Sequence, residues 1–455
     1  MDNTTTRIGN YRWVIISLLL FSTTINYMDR QVISYLKLFF CTSADQGGFG
    51  WSNTDFSYLT SFFTGFYALV SIFAGWVIDK IGTKLGLALS LITWSIFGIV
   101  NALAGAAVSV HVFIRSLFAV GEAGNFPASI KTVAEWFPKK ERALATGIFN
   151  SGSNLGAMVA ALVVPWCLVY WGVGAGWKLS FIITGASGFL WLIFWFWLYN
   201  PPSKQKRLSK TEFDYIHQDT ESQQAATQTV EQEEDKAKVP WLKLLKYKQT
   251  WSFFWGKFLT DGVWWFYLFW LPDYLIKQFG MTTSEVRWPT FIVYGVAIVG
   301  SIFGGSIPLF LINKGLPVYK ARMRAMLMIA ILPLTVLTTQ YFGSTARFGN
   351  TAMWLAVAVI SIGAAAHQAW SANLFTTVSD MFPKKAVGSI VGIGTMAGGI
   401  GGVIIQQLAG RLTDHFASNP KVAYLIMFMI CALCYVTAWT IIKTLVPKHK
   451  PITDL

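Results

Sequence analysis

Ionisable residues set inside apolar runs constrain this chain more than any other feature. Asp29 and Arg30 stand side by side near the far end of an apolar stretch that begins at about Trp13. Arg115 and Glu122 interrupt another, from about His111 to Ala134. Placing Asp, Glu or Arg at bilayer depth costs at least ~2.5–3.5 kcal/mol each on insertion scales, so such residues normally line a cavity or a proton relay. A chain that keeps several of them is built to hold a polar species inside a membrane.

Composition agrees. Of 455 residues, 54% are hydrophobic and 16% aromatic, and only 13% are charged, against ~25% in a soluble domain. Apolar runs long enough to span a bilayer recur along the chain, at about 13–36, 56–78, 85–107, 110–135, 142–171, 178–199, 250–276, 288–312, 322–341, 351–379, 387–410 and 422–446. The expected fold is an all-α polytopic membrane protein, with twelve transmembrane helices in two six-helix bundles, residues 1–199 and 249–455. Residues 200–248, rich in Lys, Glu, Gln and Thr, read as a solvated cytoplasmic linker with short helices at best. The first apolar stretch is too long for a cleavable signal peptide and lacks a small-residue cleavage site.

The net charge of +14 raises the question of nucleic acid, but its distribution points to topology. Lys and Arg crowd the even-numbered connections: Lys80 and Lys84; Lys139, Lys140 and Arg142; Lys204, Lys206, Arg207 and Lys210; Arg322 and Arg324; Lys384 and Lys385. The odd-numbered connections hold scattered ones, such as Lys37, Lys178, Lys277 and Arg347. The positive-inside rule then places both termini and the linker in the cytoplasm. Cys41, Cys167, Cys431 and Cys434 give no disulfide framework, and the Cys431–Cys434 spacing lies mid-helix in an apolar run, where packing is the better reading. The sequence has no metal-ligand spacing, no Walker-type loop and no sizeable soluble domain. Enzyme and receptor readings therefore have nowhere to run chemistry or read out a signal, and no cofactor is expected.

An internal repeat divides the chain. Glu135-Trp-Phe-Pro-Lys-Lys140 returns as Asp380-Met-Phe-Pro-Lys-Lys385, and at the same offset Thr132-Val133 matches Thr377-Val378 and Gly147-Ile148 matches Gly392-Ile393. Two parallel six-helix halves of this kind belong to proteins that rock about a central site at the repeat interface. The offset also superposes His367 on Glu122. Each lies 13 positions before the acidic residue of its loop, about 20 Å along a helix, near the bilayer midplane.

These residues resemble the major facilitator superfamily. Gly75-Trp-Val-Ile-Asp79-Lys80-Ile-Gly82-Thr-Lys84 looks like its cytoplasmic loop motif, which implies a gate, with Asp79 capping a neighbouring helix end and Lys84 pairing across the loop. The second-half counterpart, Gly304-Gly305 through Asn313-Lys314-Gly315, is degenerate. Asn26-Tyr27-Met28-Asp29-Arg30, Arg115 and Glu122-Ala123 resemble the anion:cation symporter branch, which includes bacterial sugar-acid transporters. Lys257-Phe-Leu-Thr-Asp261-Gly-Val-Trp-Trp-Phe-Tyr-Leu-Phe-Trp270 and His367-Gln-Ala-Trp-Ser-Ala-Asn373 are similar to hexuronate transporters, apart from Gly262 where proline is expected. The resemblance implies a proton-coupled, monomeric importer of hexuronates such as glucuronate or galacturonate in a bacterial inner membrane. Another organic anion, an aldonate or aldarate, is the alternative.

The candidate roles follow from side-chain chemistry. Arg30 suits a substrate carboxylate, because guanidinium stays charged and offers a bidentate fork. The plainer alternative is that it neutralises Asp29, although adjacent helical positions point about 100° apart. Asp29 and Glu122 are the proton carriers, since burial and a nearby arginine act in opposite directions on a carboxylate. Arg115, two turns from Glu122, shares their cavity. Tyr27, Tyr67, Asn154, His367, Gln368, Trp370, Ser371 and Asn373 are candidates for hydroxyl recognition. Residues 367, 370, 371 and 374 fall on one helix face, so not all of these reach a cavity, and packing is as good a reading for Tyr67 and Trp370. Lys257 and Asp261 form an i, i+4 pair suited to structure or gating. Lys131 lies close to the cytoplasmic end and is expected to snorkel there. Gly392, Gly394, Gly398, Gly399, Gly401 and Gly402 read as close-packing positions.

Overall fold

A backbone buried in lipid must satisfy its own hydrogen bonds, so apolar runs of this length have little alternative to helix. The computed structural model, which describes residues 9–226, 241–448 and 450–452, is helical, with no strand among the described residues. The first half comprises α1 (Tyr11–Cys41), α2 (Asn53–Ile81), α3 (Thr83–Val100), α4 (Val108–Glu122), α5 (Asn125–Trp136) and α6 (Lys139–Leu198). Two short helices follow, α7 (Lys210–Ala226) and α8 (Trp241–Leu244). The second half holds α9 (Lys248–Phe279), α10 (Arg287–Asn313), α11 (Val318–Ile331), α12 (Thr339–Phe342), α13 (Thr345–Phe348), α14 (Ala352–Met381), α15 (Lys384–His415) and α16 (Pro420–Leu445).

Eight stretches among the described residues are long and apolar enough to cross a membrane. One of them, Leu144–Leu198, holds two spans, because Gly172 adopts φ 71° and bends α6 into two arms. The other three spans are α1, α9 and the broken α4–α5 pair. α1 and α9 carry the charges and polar rings that lower their hydropathy, while α4 and α5 are each too short alone. The twelve expected spans are all accounted for.

The sequence repeat is also a packing repeat. α1 lies along α6, and α9 lies along α15. Gly156 approaches the Thr24 carbonyl, and Gly401 the Phe258 carbonyl, so closely that a Cβ would sit 2.3 and 2.0 Å from the two oxygens. Gly156 and Gly401 are separated by the same offset as Thr132 and Thr377. A side chain at either would force the first helix of its half away from the fifth span.

Three helix pairs carry most of the packing between the halves: α1 with α9, α2 with α15, and the first arm of α6 with α10. Their polar ties concentrate at the face where α1, α9 and α15 end. Lys37 Nζ meets Asp273 Oδ2 at 2.6 Å, and Lys277 Nζ lies 3.1 Å from the same oxygen. Tyr424 donates its hydroxyl proton to that carboxylate as well. Asp414 of α15 accepts from the backbone N–H groups of Asn53 and Thr54 at 2.9 and 2.7 Å, capping α2 from the opposite half. Lys277 also donates to Asn53 Oδ1 at 2.8 Å.

Two sequence expectations change here. Lys37 and Lys277 are not connection charges: both sit in helices, and Lys37 is 99% buried. Nor is the linker wholly solvated. The buried Glu212 of α7 accepts from the backbone N–H of Tyr11 and Arg12, each at 3.0 Å, and Arg12 bridges Glu212 and Glu141. A carboxylate at the start of α1 satisfies free amides and complements the helix dipole, which is why this stretch docks. Residues 227–240 of the linker lie outside the described residues.

Candidate functional site

Arg30 lies midway along α1 and points into the seam between the halves. Its Nε donates to Glu122 Oε2, the last residue of α4, at 2.9 Å, and the pair is almost wholly buried, with side-chain exposures of 2% and 0%. Its Nη2 reaches Asn26 Oδ1, one turn earlier on α1, at 3.3 Å. Four rings frame the guanidinium: its Cζ stands 4.2 Å from the ring centre of Tyr27, 4.7 Å from Tyr67, 5.2 Å from Trp265 and 5.4 Å from Phe63. Aromatic faces stabilise a buried cation without neutralising it. Trp265 comes from α9, so the frame is closed by both halves.

Arg115 adjoins this pair from α4. Its Nη2 donates to the Arg30 carbonyl at 3.2 Å, its Cζ lies 4.2 Å from the Phe118 ring centre, and its Nε and Nη1 have no hydrogen-bond partner. Glu122 Oε1 is likewise unpartnered. The cluster therefore holds spare donors and a spare acceptor in a buried setting, where unmade hydrogen bonds are costly.

Asp29 does not join that seam. It is 98% buried, both carboxylate oxygens lack a hydrogen-bond partner, and its polar neighbours are Trp94 of α3 and Thr184 of the second arm of α6, with Glu122 and Arg115 close enough to act on its charge. The 100° step between adjacent helical positions sends Asp29 into the first half and Arg30 towards the second. Asp29 thus stands beside Arg115 and Glu122 on the first-half side of the cluster, while Arg30 faces the seam.

In the second half, His367 Nδ1 lies 2.9 Å from the Tyr435 hydroxyl, and its ring stacks on Trp264 at 5.0 Å and 5°. Gln368 reaches across the seam, its Nε2 donating to Asn154 Oδ1 at 3.3 Å. Ser371 is half-buried. Trp370 and Asn373 turn elsewhere. Trp370 is fully buried against Tyr435, with ring centres 5.8 Å apart. Asn373 Nδ2 donates to Gly304 O of α10 at 2.9 Å and to Ala369 O at 2.8 Å, so it clamps two helices.

The candidate gate residues also find partners. Lys257 Nζ and Asp261 Oδ2 are 2.5 Å apart, one turn apart on α9. Asp79 pairs with Lys131 of α5 at 2.9 Å rather than capping a helix end, so Lys131 bridges α2 and α5 instead of merely snorkelling. Lys84 donates to Asn200 Oδ1 at 2.9 Å. The first of these contacts stays within the first half, and the second ties α3 to the opening residue of the linker.

Asn26, Trp264 and Trp265 enter the sequence reading only inside motifs, without a role, and Phe63, Gln31 and Tyr294 do not enter it. Gln31 Nε2 donates to the Tyr294 hydroxyl at 3.1 Å across the halves. A usable signal existed for some of them: Asn26 and Arg30 are i, i+4 neighbours, and Trp264 and Trp265 follow Asp261 by one turn.

Repeated six-helix bundles meeting on a buried guanidinium–carboxylate pair define a membrane transporter. The chain belongs to the Major Facilitator Superfamily, whose model matches residues 19–406. It is 29% identical to the hexuronate transporter of Escherichia coli K12 over 99% of this chain and 97% of that one. It is 31% identical to the galacturonate transporter of Dickeya chrysanthemi over 67% and 83%, and 26% identical to an Escherichia coli D-galactonate transporter over 94% and 95%. Among solved structures, a bacterial homologue of the lysosomal transporter Spinster, inward-facing and unoccupied, superposes with TM-score 0.73 at 18% identity over 98% of this chain and 100% of that one.

Proposed function

We propose that this protein is a proton-coupled transporter that imports sugar-acid anions, hexuronates foremost, by alternating access across a bacterial inner membrane, as a monomer with both termini in the cytoplasm. The buried Arg30–Glu122 pair inside its aromatic frame carries this reading. A sugar acid presents a carboxylate, an apolar ring face and a rim of hydroxyls. With Nε held by Glu122 and one Nη2 proton by Asn26, the remaining Nη protons of Arg30 are left to a carboxylate. Tyr27, Tyr67 and Trp265 offer ring faces, while Asn154, His367, Gln368 and Ser371 supply polar groups from both halves. The relatives named for hexuronate, galacturonate and galactonate transport support the substrate class.

Coupling follows from the exchange of partners. A proton taken up by Glu122 frees Arg30 for substrate, and substrate release restores the pair. Asp29, buried beside Glu122 and Arg115 with both oxygens free of hydrogen bonds, is the second carrier. A monoanion entering with one proton is electroneutral, whereas with two the cycle gains ~2.3 kcal/mol per 100 mV. Residues 1–199 and 249–455 are the rocking units, linked by 200–248 in the cytoplasm. In that orientation the face fastened by Lys37, Asp273 and Asp414 is the outer one, and the described state is closed outward.

The second reading keeps the fold and takes an aldonate or aldarate. The relatives named for D-galactonate and for galactarate/D-glucarate transport, at 26% and 28% identity, favour it. Counterflow in proteoliposomes, with pH and voltage clamped separately, tests both. Glucuronate or galacturonate should accelerate exchange, and uptake unaffected by either would overturn the hexuronate assignment.

A further inference from the structure

A cleft of about 570 Å³ opens where α9 begins and α16 ends, far from the central seam. Four of its lining residues are lysines: Lys246 and Lys248 from one wall, Lys448 and Lys450 from the other. No Asp or Glu lines it. Among the described residues, none of the four lysines has a carboxylate within ion-pair distance.

The cleft is held in shape by hydrogen bonds to backbone carbonyls. Gln249, itself 92% buried, donates from Nε2 to the Lys450 carbonyl at 2.8 Å. Ile452 N donates to Met381 O of α14 at 2.9 Å, and Thr250 Oγ1 donates to Leu244 O at 2.6 Å. The chain after α16 is therefore tied to α9 and α14, and its lysines are kept opposite those that precede α9. The start of α9 has no side-chain cap, so the positive end of its dipole faces the same cleft. Four like charges around a pinned cleft repel one another until an anion enters.

We propose that this cleft binds a phosphate group, either the headgroup of an anionic phospholipid or a soluble phosphate compound. It lies at the ends of two membrane spans, at the depth where headgroups sit, and clustered lysines there attract anionic lipid. A bound phosphate would bridge the beginning and end of the second half, the unit that must move as one body.

Thermal unfolding of the full chain in micelles containing phosphatidylcholine provides the test, with phosphatidylglycerol or inorganic phosphate added at equal phosphate concentration. A saturable rise in Tm is expected with at least one of the two. A response to phosphatidylglycerol alone identifies the headgroup as the source, and an equal response to inorganic phosphate identifies the soluble anion. Replacing all four lysines by glutamine should abolish the rise, and four arginines should preserve it. The double variants Lys246→Gln/Lys248→Gln and Lys448→Gln/Lys450→Gln should each weaken apparent affinity roughly fivefold per lysine, and they carry the test where the fourfold variant does not fold. Lys314→Gln/Lys320→Gln, outside the cleft, should leave the rise unchanged. No rise with either anion, or the same rise in the glutamine variants as in the parent, would overturn the proposal.

Discussion

Arg30 and Lys37 stand two turns apart on one face of α1, and each reaches a carboxylate in a different half: Arg30 pairs with Glu122 of α4, and Lys37 with Asp273 of α9. Each cation also faces a tryptophan of α9, Trp265 at 5.2 Å and Trp270 at 3.8 Å. α1 therefore links the central pair to the tie that closes one face of the protein. A rotation of α1 that loosens one contact disturbs the other, because both project from a single rigid helix.

The tie between Lys37 and Asp273 has an asymmetry that can be measured. Asp273 has three partners, Lys37, Lys277 and Tyr424, so Lys37→Met leaves the carboxylate compensated. Asp273→Asn instead strands Lys37, which is almost fully buried, and stranding a buried charge costs about 3–5 kcal/mol. Thermal unfolding should show Asp273→Asn as the more damaging change, with Lys37→Met/Asp273→Asn recovering most of the loss. Lys37→Met should also raise maleimide labelling of a cysteine placed at Ser34, one turn inward, as the closed face opens more often. Equal stability of the two single variants would contradict this account.

Glu122→Gln keeps an oxygen that can accept from Arg30 Nε while removing the titratable group. Transport should lose accumulation against a gradient and retain counterflow exchange, since exchange needs binding but no net proton movement. Uptake driven by an imposed pH gradient, compared with exchange at symmetric pH, separates the two. Concentrative uptake at the parental level would remove Glu122 from the coupling mechanism.

Arg30→Lys retains charge but loses the planar fork and its stacking on four rings. Losing one charge-assisted hydrogen bond to a carboxylate costs about 1.5–3 kcal/mol, or roughly 10- to 150-fold in Kd. Titration of purified protein with glucuronate should show a loss of that size, with Arg30→Ala eliminating binding altogether. Parental affinity in Arg30→Lys would mean that the substrate carboxylate binds elsewhere.

Periodicity and the repeat made the spans legible, because lipid burial leaves helix as the default and Gly156 and Gly401 recur at the repeat offset. The residues Asp29, Arg30, Arg115 and Glu122 were visible for a similar reason, since charge in an apolar run is rare. Which way each one faces was not legible. Asp29 and Arg30 differ by one position and point about 100° apart around α1, and which of them meets the seam is decided by the packing of Trp94, Thr184 and Trp265 around that helix. Lys37 was misread because a cation near a span end looks the same whether it reaches water or a carboxylate in the other half.

Asn373 and Gln368 test how far the α14 motif divides between packing and recognition. The Asn373 amide is spent on Gly304 O and Ala369 O, which ties α14 to α10 inside one half. Gln368 instead crosses the seam to Asn154, where a solute bound between the halves would replace that contact. Asn373→Ala should therefore lower stability by about 1–3 kcal/mol, the usual range for leaving a buried partner unsatisfied, and change sugar-acid affinity by less than about threefold. Gln368→Ala should do the reverse, weakening affinity severalfold with little change in Tm, because the 3.3 Å bond it loses is long and only partly buried. Thermal unfolding and ligand titration on the same two preparations read both axes. A loss of affinity in Asn373→Ala without a loss of stability would return Asn373 to the binding site.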